Sequence, residues 1–152
     1  MTKSRFAIAG LLLALSSIAW SAVPDWAVAV FPSGREFGLE IAAVPAERQR
    51  GYMFRERVGP NEGMLFLFET SQAHGFWMKN CKVSLDIIWL DEQFRVVDLA
   101  LRLPPCPEEG ECPLIQPLRT ARYVLEVAAG TVDEEGLRRG QRLVIMSEPA
   151  LP

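Results

Sequence analysis

Positive charge is not in excess in this chain. Its 152 residues hold 16 Lys and Arg against 19 Asp and Glu, a formal net charge of -3, which disfavours a nucleic-acid binder because nothing is left over to neutralise phosphates. Histidine is nearly missing, with His74 the sole example, and there are only 3 cysteines, none in a C-x-x-C pair or a four-ligand zinc pattern. No internal repeat or low-complexity stretch interrupts the sequence. After the first twenty residues no apolar run reaches the ~20 residues that a membrane helix needs. Long amphipathic segments that would serve as crossover helices are also lacking, so a doubly wound parallel sheet is disfavoured. What remains is 49% hydrophobic and 23% charged, the balance of one ordinary globular domain.

The chain opens with Lys3 and Arg5, an apolar run from Phe6 to about Ala19, and small residues Ala19 and Ser21 ahead of Ala22. That is the layout of a secretory signal peptide, so residues 1–21 are expected to be removed and residues 22–152 to form a single exported domain, periplasmic or extracellular. The cysteines agree with export. Cys106 and Cys112 stand in the rigid, polar segment Pro104-Pro-Cys-Pro-Glu-Glu-Gly-Glu-Cys-Pro113, where a disulfide is expected as a loop staple. Cys81 is left over, either a small buried hydrophobe or a reactive thiol.

Short apolar and alternating runs dominate the rest. Strands are expected at residues 27–31, 36–42, 64–68, 75–79, 84–90, 94–101, 123–128 and 141–146, separated by turn residues. Pro45, Glu47 and Gly51 mark one short helix, and Thr131-x-x-Glu134 has the form of a capping box opening a single helical turn. About eight strands with one or two short helices make the fold mainly β, an antiparallel sandwich or partly closed barrel.

The densest chemistry lies between Arg48 and Leu90. Arg50-Gly-Tyr-Met-Phe-Arg55, Gly63-Met-Leu-Phe-Leu-Phe68, Phe76-Trp-Met-Lys-Asn80 and Leu85-Asp-Ile-Ile-Trp89 follow one another there. In order and spacing these motifs resemble the DUF192 family over about residues 37–146. The resemblance implies a compact β-rich domain and carries no assigned reaction, substrate or cofactor. Exported relatives look alike in the two-cysteine loop, which supports pairing Cys106 with Cys112. At Cys81 the chain departs from the family pattern, which usually has Thr after the Asn.

Asp86 sits among apolar neighbours on both strand faces, so its carboxylate requires a cation or several hydrogen-bond donors. Arg50, Arg55 and Lys79 are the candidate cations. Asp86 then either ties the helix and arginine loop to the sheet or orients a ligand. Arg50 and Arg55 could converge on an anionic molecule, or divide between Asp86 and solvent. Trp77 and Lys79 share one strand face, Phe76, Met78 and Asn80 the other; one face is core, and an open one would offer an aromatic floor with polar handles.

The reading favoured by these patterns is a non-enzymatic domain binding a small molecule or peptide segment. Tyr52, Met53, Phe66, Trp77 and Met78 would line the cleft, with Arg50, Arg55, Lys79, Asn80 and Asp86 as polar contacts. Copper(I) handling through Met53, Met64, Met78, His74 and Cys81 is a second reading, although these methionines are scattered singly. A hydrolase-type enzyme is a third, using Cys81 with His74 and Asp86, or Asp86 with Glu69 or Glu62. An envelope protein partner reached through a strand edge or apolar patch is a further expectation. No cofactor and no bound metal are assigned.

Overall fold

A computed structural model describes residues 23–107 and 109–151; the expected signal segment lies outside the described residues. Seven strands, β1 (Trp26–Val30), β2 (Glu36–Ala42), β3 (Glu62–Gln72), β4 (Leu85–Leu90), β5 (Val96–Leu103), β6 (Ala121–Ala128) and β7 (Val144–Ser147), form one sheet in the order β5-β4-β6-β3-β2-β1-β7. Every pairing is antiparallel except that of β2 with β3. That exception follows from the connection, which runs through helix α1 (Pro45–Arg50) and a long loop before β3 begins, enough chain to cross over and enter in parallel. The sheet curls without closing. The segments that lead into its two outer strands bridge at a corner, where Val96 N–H donates to the Gln141 carbonyl at 2.8 Å and Leu143 N–H to the Phe94 carbonyl at 3.0 Å.

Strand periodicity splits the apolar residues into two clusters on the two faces of the sheet. Leu65, Leu67, Ile88, Leu90, Leu125 and Val127 point inward with Phe37 and Leu39. Met64, Phe66, Ile87, Trp89 and Val124 point to the other face, which is roofed by loops carrying Tyr52, Phe76 and Met78. Strands β3, β4 and β6 are thus covered on both sides, which is why β4 is buried at all six positions and alternation is invisible there. Gly63 is where β3 is pressed most closely. A Cβ at that position would stand 2.8 Å from the Glu126 carbonyl and 2.9 Å from Leu39.

The stretch 75–79 is not a strand of the sheet. It lies across the outer face, held by one bridge in which Phe76 and Ile115 exchange hydrogen bonds of 2.9 and 2.7 Å, yet its alternation survives with Phe76 and Met78 buried. The Cys106–Cys112 disulfide closes the loop beside it.

Both helices are capped by carboxylates. In α1 the Glu47 side chain takes the N–H groups of Ala43 at 3.0 Å and Val44 at 3.2 Å, and Pro45 opens the first turn. Helix α2 (Thr131–Glu134) has Gly130, not Thr131, as its N-cap residue, and Thr131 is its first helical residue. Asp86 of β4 reaches across and accepts from Gly130 N–H at 3.0 Å and Val132 N–H at 2.9 Å. A fully buried carboxylate is a stronger acceptor than a hydroxyl, so it displaces the expected local cap.

Candidate functional site

Above the outer face of β3 and β6 lies a pocket of about 320 Å3, and its floor is built by strand register. Met64 pairs with Glu126 and Phe66 with Val124, so Phe66 and Glu126 share the face toward the loops. Glu126 is 4% exposed. Its cross-strand neighbours Met64 and Ile87 are both apolar, and its Oε2 atom has no hydrogen-bond partner. Burial pushes its carboxyl up to about 8, against a weaker opposing pull from Arg55.

The walls are aromatic. Phe66 meets Phe76 edge-on at 4.9 Å, and Phe76 meets Trp89 edge-on at 6.2 Å. Arg48 lies 5.2 Å over the Phe68 ring and donates to the carbonyls of Leu67, at 2.9 Å, and Ala43. The C-terminal end of α1 supplies Gly51, whose φ of 45° and ψ of −131° suit glycine. Its missing Cβ matters as well, because one placed there would stand 3.2 Å from Phe66 Cζ and 3.5 Å from Glu126 Oε2.

Of the residues expected from sequence to form the site, Arg50, Tyr52, Met53, Phe66 and Trp77 line this pocket. Arg55 lines a second hollow of about 260 Å3 beyond Gly51, which also includes Arg50. There it forms a two-pronged pair with Glu40, both contacts 2.6 Å, and lies 5.0 Å over the Tyr52 ring. This pairing holds the Glu40 carboxyl below its ordinary value. Burial pushes the Tyr52 hydroxyl well up.

The other expected residues are elsewhere. Met78 is buried in the outer cluster. Lys79 is exposed, 5.3 Å over Trp77. Asn80 turns the chain at a φ of 56°, its carbonyl accepting from Phe54 N–H at 2.8 Å and its amide directed at the Met53 sulfur at 3.9 Å. Asp86 does not line the pocket. Besides its two bonds to α2 it accepts from Arg102 N–H at 2.7 Å, so three backbone amides take the place of the expected Arg50, Arg55 or Lys79.

Cys81 lines the pocket, with its thiol pushed up to about 11 by burial and then by Glu126. His74 is occupied outside that lining, stacked on Phe68 at 3.6 Å with Nε2 3.0 Å from the Thr70 carbonyl. Burial holds it below its ordinary value. Glu62 bonds within its own turn, to Gly59 N–H at 3.0 Å. Met53 and Cys81 share the pocket lining, but Met64 and Met78 are core residues. Among the described residues no group of three or more His, Cys, Asp or Glu is placed to hold a metal.

Glu126 is the residue that sequence reasoning missed. Its signal was present, since it interrupts the apolar run Tyr123-Val-Leu-Glu-Val127 just as Asp86 interrupts its own strand.

Comparison with known proteins adds the following. A crystal structure from Sinorhizobium meliloti 1021, described as a candidate transcription regulator, is 30% identical and superposes with a TM-score of 0.70 over 82% of this chain and 95% of its own. A protein of unknown function from Novosphingobium aromaticivorans DSM 12444 is 28% identical, with a TM-score of 0.69 over 80% of this chain and 84% of its own. No curated protein matches. The family model described as Uncharacterized ACR matches residues 28–145, and with the motifs, the mainly β sheet and the pocket over β3 and β6 in place, the chain belongs to the DUF192 family.

Proposed function

We propose that this domain is an exported binding protein for a small organic molecule, or the side chain of a peptide, held in the pocket over β3 and β6. One observation carries the reading: a buried carboxylate oxygen with no partner stands at the base of an aromatic pocket. A polar atom stripped of water without a replacement bond costs on the order of 1–3 kcal/mol, a cost that persists where a ligand supplies the missing donor. The size, at the small end for ligand cavities, and the few polar groups among aromatic walls fit this use. The disulfide is compatible with an oxidising compartment, and no helix among the described residues is long and apolar enough to cross a membrane.

The thiol-enzyme alternative has weaker support, because His74 and Asp86 are each committed to other partners and burial keeps Cys81 protonated. Screening aromatic fragments by amide and indole NMR shifts tests the proposal. Binders should move Gly51, Met53, Trp77 and Glu126 together, and Gly51→Ala should abolish those shifts. Fragments that bind only elsewhere, or none that bind, would refute it.

A further inference from the structure

We propose that the molecule taken by this pocket carries a primary ammonium on a flat apolar body, and that the ammonium docks on Glu126. The inference rests on the pocket being a ligand site and assigns the chemistry of that ligand.

In its ionised form the unpartnered oxygen calls for a donor, and a ligand carboxylate or phosphate would set a second negative charge against it. Among the described residues no side chain hydrogen-bonds that oxygen, although Arg50, Tyr52 and Cys81 line the same pocket. Arg55 is engaged two-pronged by Glu40, and Arg48 is spent on two carbonyls and the Phe68 ring. Cross-strand Met64 and Ile87 have no N–H to give from their side chains. Phe66 and Phe76 add ring surface to the same pocket, and an aromatic face favours a cation.

Binding of this kind moves a proton. The titratable and charged groups near the acid are Arg48 and Arg50 from α1, Tyr52 and Arg55 from the loop after it, and Cys81 from the turn across the pocket. Its pair with Glu40 keeps Arg55 charged, while burial keeps Tyr52 and Cys81 neutral. Glu126, held protonated at neutral pH by the same burial, is the member that ionises when an ammonium arrives, and its proton passes to the buffer.

The test is isothermal calorimetry on the mature chain with three probes of one shape: phenethylamine, phenethyl alcohol and hydrocinnamate. The amine should bind at least about tenfold more tightly than the alcohol, the worth of one charge-assisted bond, and the anion more weakly than either. Titrations in phosphate and in Tris should show about one proton released at pH 6.5, falling to about half a proton near pH 8 while the amine stays fully charged. Glu126→Gln should erase the amine's advantage over the alcohol. Because the probe comparison is made in the unaltered chain, it does not depend on that variant folding. If the alcohol or the anion binds as well as the amine, or the Gln variant keeps the preference, the ligand assignment is wrong while the pocket stands as a site. If no probe binds, the pocket reading fails and this inference with it.

Discussion

Replacing Glu126 by Gln should make the unliganded protein more stable, by an amount that grows as the solution becomes more alkaline. In the folded chain the carboxyl is raised from an ordinary value of 4.5 to about 8, by burial above all. An unfolded chain gives up that proton near pH 4.5, whereas the native one holds it until about pH 8. Between those limits the native state binds more protons, so its stability falls as pH rises, at about 1.4 kcal/mol per pH unit, and the loss levels off above pH 8. Over the whole window this amounts to about 5 kcal/mol, an upper bound, since local relaxation and water reduce the cost of a buried charge. Glutamine has nearly the same shape and does not titrate. Its own buried amide adds a constant offset, so the diagnostic is the slope. Urea unfolding at pH 5, 6, 7 and 8, with tryptophan fluorescence as readout, should give a variant-minus-parent difference that climbs by several kcal/mol. A difference constant to within about 0.5 kcal/mol would mean that Glu126 is solvated or paired in solution, and the account of the pocket floor would be wrong.

Other outcomes follow from the same geometry. Asp86→Asn exchanges one acceptor oxygen for a donor facing backbone N–H groups, so it should cost about 2–4 kcal/mol in urea unfolding and leave phenethylamine affinity unchanged; lost binding with intact stability would restore Asp86 to the site. Gly51→Ala puts a methyl group against Phe66 and Glu126 at a backbone angle that disfavours it. It should cost about 1–3 kcal/mol and weaken probe binding at least tenfold by calorimetry. Replacing Cys106 and Cys112 together by Ser should lower stability by only about 2 kcal/mol, because so short a loop constrains the unfolded chain little, and circular dichroism should show the sheet intact. Cys81, with its thiol pushed up to about 11, should react with iodoacetamide far more slowly at pH 7.5 than a free cysteine; rapid alkylation would revive the nucleophile reading.

The local alphabet of the chain was enough for β1, β2 and α1, where alternation, proline, glutamate and glycine act within a few residues of one another. It also revealed the stapled loop and, through the motifs, the family. It erred at 75–79 because an extended, alternating segment lying across a sheet and one lying within it bury the same positions; only the hydrogen-bond partners differ. It placed Asp86 in the site for a related reason. Sequence shows that a carboxylate in an apolar strand must find donors, but not whether those donors are arginines nearby or amides 44 and 46 residues away. Glu126 presents the same sequence signal with the opposite outcome. Asp86 falls beside the start of α2 and is satisfied, whereas Glu126 falls between Met64 and Ile87 and is not. Composition and pattern by themselves determined the mainly β class and the presence of polar residues needing partners, since both depend on local periodicity and on the cost of burying charge. Which polar residue was left without a partner, and beside which hollow, was decided by strand register and loop packing, because those bring together residues that no local pattern relates.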